Sequence, residues 1–210
     1  MHTTVRAPAP YRARIASPPE PEAMLARASL ASCLHAGLRG VLFLPLKIDA
    51  FGATVGRLSL LVALWLVANL AVSRLFVGAP GEIDLRALPG AVFDLPVLLL
   101  AGWLLARTAS NPRLVLAIPV FAYAMAPFFL AVQAAIGALY AGGVVDADAG
   151  LEPVLGLLIY ALPLWWWGAL ILGSARMAML TLDRMLAPVA LGALLAAMGL
   201  LAPPAPLWQA

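Results

Sequence analysis

Few residues of this chain could do chemistry inside an apolar phase. Asp94, in Phe93-Asp94-Leu95-Pro96, is the only carboxylate within any of the long apolar runs. A buried carboxylate of this kind serves as a proton carrier or an ion-pair partner, or it sits at a helix start, favoured there by the dipole and by local capping. Asn69 and Gln133 are the other polar groups in those runs. Relay systems need several ionisable groups, so one carboxylate with two amides favours the structural role.

The second candidate is Trp165-Trp166-Trp167, with Tyr160 upstream. Three consecutive rings point over more than half of a helix circumference. They would form a platform for a flat apolar cofactor such as a quinone or carotenoid, or bulky filler opposite small Ala and Gly faces. The two histidines, His2 and His35, both precede the first span, which leaves no intramembrane His for haem or zinc. A lone Cys33 excludes an internal disulfide. The chain has no G-x-S-x-G, H-E-x-x-H, P-loop or C-x-x-C. The expectation is a protein that is not an enzyme, with no covalently or metal-bound cofactor but with bound lipid.

The elements that must position these groups follow from composition. Of 210 residues, 64% are hydrophobic and 11% charged, which excludes a water-soluble domain and points to an all-α polytopic membrane protein. Residues 1–21 carry Pro8, Pro10, Pro18, Pro19 and Pro21 with Arg6, Arg12 and Arg14, a composition for a flexible cytosolic tail. Residues 22–57 follow as a helix and linker. Leu30, Leu34, Leu38, Val41 and Leu42 recur at helical spacing, while Arg27, Ser32, His35 and Arg39 take other angles. That pattern predicts an amphipathic helix lying in the headgroup plane and ended by Pro45. The spacing Gly52 to Gly56 is read as turn chemistry.

Residues 58–202 form the transmembrane domain, with five apolar spans at about 58–77, 88–106, 114–140, 154–175 and 186–202, and 203–210 is a short outer tail. Span two is the exception. A helix capped by Asp94 and running to Ala106 would reach only about 18 Å against a core of about 30 Å, so either Asp94 enters the membrane or the segment is not a simple helix. Basic residues decide the topology. Arg6, Arg12, Arg14, Arg27, Arg39, Lys47 and Arg57 precede span one, Arg74 ends it and Arg86 lies in the loop after it, Arg107 and Arg113 lie between spans two and three, and Arg176 and Arg184 between four and five. The loop after span three has only Asp146, Asp148 and Glu152. The positive-inside rule then gives five crossings, with the N-terminus cytoplasmic and the C-terminus periplasmic. Because the basic residues sit at membrane edges, a pI near 9.5 is no sign of nucleic-acid binding.

Five spans, a cytosolic N-terminal region ending in an amphipathic stretch, and a short outer C-terminus resemble the Yip family of Rab-associated membrane proteins and its bacterial relatives. Phe43-Leu44-Pro45 to Ala50-Phe51-Gly52 before span one, and Phe93-Asp94-Leu95-Pro96 opening span two, look like that architecture. The resemblance covers roughly residues 24–202 and implies an adaptor or scaffold without catalysis. The Ala/Leu/Arg/Pro-rich composition looks bacterial, so Rab partners do not carry over. The expectation is an accessory or scaffolding subunit of a bacterial inner membrane, partnered by lipids and other integral membrane proteins. The alternatives are a small transporter or lipid-handling protein using Asp94 and Trp165 to Trp167, and a quinone or carotenoid binder.

Overall fold

The computed structural model describes residues 29–77, 80–143, 150–180, 192–193 and 207–209. These are almost entirely helical. Helix α1 spans Leu30–Val41, α2 Val55–Val77, α3 Leu88–Ala91, α4 Asp94–Thr108, α5 Leu114–Ala141 and α6 Leu151–Met177. A pair of two-residue strands, β1 (Glu82–Ile83) and β2 (Trp208–Gln209), closes antiparallel with Glu82 opposite Gln209.

Four stretches are long and apolar enough to cross a membrane: Val55–Val77, Leu85–Thr108, Leu114–Ala141 and Leu151–Met177. Apart from Gly192 and Ala193, the expected fifth span lies outside the described residues.

Helix α5 is the axis on which the others pack. Two thirds of its apolar window is buried, against 11%, 28% and 22% for the other three. Every residue from Ala117 to Ala126 is buried, so over almost three turns the helix is covered on all sides. Both prolines, Pro119 and Pro127, lie inside this unbroken helix.

Lipid is as apolar as leucine, so helices associate in it by close packing, and small residues mark the contacts. Gly102 of α4 lies against the backbone carbonyls of Leu114 and Val115, Gly37 of α1 against Ala124, and Gly173 of α6 against the Phe121 ring. Gly137 of α5 faces Phe76 of α2.

These contacts also fix directions. Trp65 packs edge-on to Tyr123 at 5.8 Å and Phe76 meets Gly137, so α2 runs parallel to α5. Helices α4 and α6 run antiparallel to it, since Gly102 meets Val115 while Trp165 packs on Phe129 at 6.2 Å and Gly173 on Phe121. One end of the bundle therefore gathers Arg57, Arg107, Arg113 and Arg176, and the other carries Glu82, Asp84 and Glu152 together with Arg74 and Arg86. Leu180 follows α6 at the arginine end, whereas Leu207 precedes β2 at the acidic end.

Helix α1 differs from the expectation of a helix resting at a surface on its leucines. Its buried residues are Cys33, Ala36, Gly37, Gly40 and Val41, whereas Leu30 and Leu42 are exposed. The helix is set into the bundle where Gly37 meets Ala124, ten residues or about 15 Å along α5 from Leu114. The physical reason is the one given above, because small residues allow backbone approach and leucines gain nothing by leaving lipid.

It also stops earlier than Pro45. Phe43 takes the left-handed conformation (φ 55°), with its N–H donating to Gly40 O and that of Leu44 to Arg39 O, a Schellman ending at a residue other than glycine. Gly52, at φ 47°, ends the short 3-10 turn Ile48–Phe51, which agrees with the turn reading of that glycine.

Candidate functional site

Asp94 sits where the second crossing segment is broken. A 3-10 turn, Leu85–Ala87, leads into α3, and Val92 and Phe93 separate α3 from α4. Pro96 explains the position of the break. It has no N–H to give the carbonyl four residues earlier, Val92 O, and its ring crowds that carbonyl. The chain answers with tighter bonds, Phe93 N to Gly90 O and Leu95 N to Val92 O. The segment is thus a broken helix with Asp94 in the first turn of α4. Arg107 lies 13 residues on, so the carboxylate stands about 20 Å from the arginine end, inside a core of about 30 Å.

Asp94 lies on the α5-facing stripe of α4, in register with the buried Leu98, Ala101 and Leu105. It stays accessible because the break leaves its own turn uncovered. Across from it, Tyr123 of α5 is 4% exposed, and its hydroxyl has no hydrogen-bond partner among the described residues. The antiparallel register that sets Gly102 against Val115 brings Asp94 level with Tyr123. Tyr123 was not among the sequence candidates. Its signal lay in spacing, nine residues into the apolar run beginning at Leu114, a depth matching Asp94 in an antiparallel neighbour.

The other sequence candidates are scattered. Asn69 Oδ1 accepts from Ser73 Oγ at 3.5 Å, within α2. Gln133 is half-buried on α5. Tyr160 is 76% exposed on the outer face of α6. Trp165 remains 45% exposed, and its Nε1 donates to Val41 O at 2.9 Å. Trp166 and Trp167 pack edge-on to each other at 4.7 Å. Trp165 therefore ties α6 to the C-terminus of α1, where the last helical carbonyls need donors.

That tie belongs to a wider set which sequence reading did not identify. The segment after α1 is held by side chains on its carbonyls. Arg39 donates to Pro45 O through Nε (3.2 Å) and Nη2 (3.0 Å), Arg57 Nη1 to Phe51 O (2.6 Å) and Gly52 O (2.9 Å), and Arg176 to Phe43 O. Arg113 pairs with Asp49 at 3.2 Å. Arginines that mark topology in the sequence thus also fasten the strap 42–54, through a planar fork suited to carbonyl acceptors. Beneath it Cys33 is fully buried, and burial pushes its thiol pKa above the ordinary value, with Arg57 opposing that weakly.

At the acidic end, Leu66, Leu70, Ile83, Leu88 and Leu207 line a shallow pocket of about 150 Å³ with Asp84 at its edge. Its lining is almost wholly apolar, so it offers little to orient a polar ligand. No family model matches this chain, and no curated protein or solved structure matches it.

Proposed function

We propose that this protein is a non-catalytic accessory or scaffolding subunit of a bacterial inner membrane, working through its outer helix faces on other integral membrane proteins. The observation that carries the reading is the position of α5. A transporter needs a path along its axis, and here the axis is a helix packed solid with Ile118, Phe121 and Met125, each essentially inaccessible. The outer helices are mostly uncovered and present Val67, Trp103, Leu157, Tyr160 and Leu164 outward. Such faces meet either lipid or a partner helix.

The topology of the proposal is five crossings with the N-terminus cytoplasmic and the C-terminus periplasmic. Its supports are the arginine end of the bundle and the opposite placement of Leu180 and Leu207, which asks residues 181–206 to return across the membrane. The Yip-like architecture belongs to the same proposal. Extraction from native membranes in a mild detergent, followed by native electrophoresis, tests the reading. Migration with a larger assembly is the expected result, and a chain that always migrates alone overturns it.

A further inference from the structure

We propose that the notch between Asp94 and Tyr123 receives a lysine or arginine side chain from a transmembrane helix of the partner protein. The inference rests on the accessory-subunit reading and names the contact. Three observations converge on it. Asp94 has no hydrogen bond or ion pair among the described residues, although it stands about 20 Å from the arginine end and inside the apolar layer. Tyr123 stands level with it in the antiparallel register set by Gly102 and Val115, and its buried hydroxyl also lacks a partner among the described residues. Finally, the break at Val92 and Phe93 leaves the Asp94 carboxylate open to the outside of the bundle, with Phe93 51% exposed beside it.

The chemistry selects the occupant. A carboxylate in lipid is retained when an opposite charge meets it, and Tyr123 can donate to one carboxylate oxygen while the other accepts from a cation. Among the described residues no cation meets Asp94, and Arg86, eight residues earlier, makes no ion pair with it. Residues 186–202 contain no charged side chain. Arg74 is stacked over the Trp208 ring at 5.3 Å, nine residues beyond Trp65, which is level with Tyr123. A second copy in the same orientation would therefore hold its Arg74 about 13 Å too far along the membrane normal. A basic side chain from a different protein, set about one third of the way into the apolar layer, fits both depth and charge.

The test uses the full chain expressed in its native membrane, with a photo-crosslinking benzoylphenylalanine replacing Phe93. The expected cross-link is to an apolar peptide of another protein bearing Lys or Arg within its span. Asp94→Asn should lower the co-purified partner by about 30-fold or more, and Tyr123→Phe by less. Asp94→Lys should abolish the complex, and changing the partner's basic residue to Glu should restore it. Continued protection of Cys33 from thiol reagents establishes that each variant is folded. A cross-linked peptide without a basic residue, or a complex unchanged by Asp94→Asn, overturns the notch while leaving the accessory reading standing. Cross-links to lipid alone, with no complex from the unaltered protein, overturn both.

Discussion

The close approach of α4 to α5 gives a prediction with a sign that can be worked from distances. An alanine Cβ at Gly102 would lie 2.7 Å from Val115 O and 2.9 Å from Leu114 O. Ordinary carbon-to-carbonyl-oxygen contacts begin near about 3.3 Å, so the two helices must separate by about 0.5 Å. The obstacle is backbone rather than a flexible side chain, and overpacking of this kind costs about 1–3 kcal/mol. Helix propensity returns up to about 1 kcal/mol, leaving a net loss of up to about 2 kcal/mol. Gly156 on α6 is the matched control, since a Cβ there meets nothing within 4 Å and alanine keeps only the propensity gain. At about 2–4 °C per kcal/mol for a chain of this size, the propensity gain being common to both, Gly102→Ala should unfold about 2–12 °C below Gly156→Ala in detergent. Equal midpoints, or a more stable Gly102→Ala, would refute the packing argument.

Further expectations concern the arginine end and the strand pair. Met179 follows α6 at φ 50° and is 91% exposed, so Met179→Gly should relieve left-handed strain and stabilise by about 1 kcal/mol, read from the same thermal scans. Folding holds the Cys33 thiol protonated, so this group adds no pH dependence well below 9.0, whereas above it the unfolded chain ionises first and stability falls. Cys33→Ala should remove that alkaline slope in a pH series of unfolding curves. Glu82 and Gln209 are paired residues, at a separation compatible with a disulfide, so Glu82→Cys with Gln209→Cys should cross-link on mild oxidation and shift mobility on a non-reducing gel. Absence of the cross-link would contradict the placement of the C-terminus beside β1.

The long apolar helices were legible because an unbroken apolar run of this length leaves the backbone little choice but to bond within itself. The expected 58–77, 114–140 and 154–175 appear as Val55–Val77, Leu114–Ala141 and Leu151–Met177. The break before Asp94 was half legible, since Pro96 already forbids a bond to Val92 O, and only the structure sets Asp94 on the α5-facing stripe. Helix α1 was legible in part: Val41 of its expected apolar face is buried and Leu34 packs against the core, but the closest contacts fall on a neighbouring stripe of small residues. Leucine periodicity marks the buried side in water, but in a membrane the stripe of Cys33, Ala36, Gly37 and Gly40 marks the protein contact. The aromatic cluster was legible as residues and not as a role, because the hydrogen bond from Trp165 to Val41 O joins positions 124 apart in sequence. The two-residue strands carry no periodicity to read.

Mass spectrometry of the protein released intact from native membranes tests the central claim most directly. The accessory-subunit account predicts a complex whose mass exceeds any whole multiple of the 21.9 kDa chain by that of another membrane protein. A spectrum containing only this chain and bound lipid would contradict it.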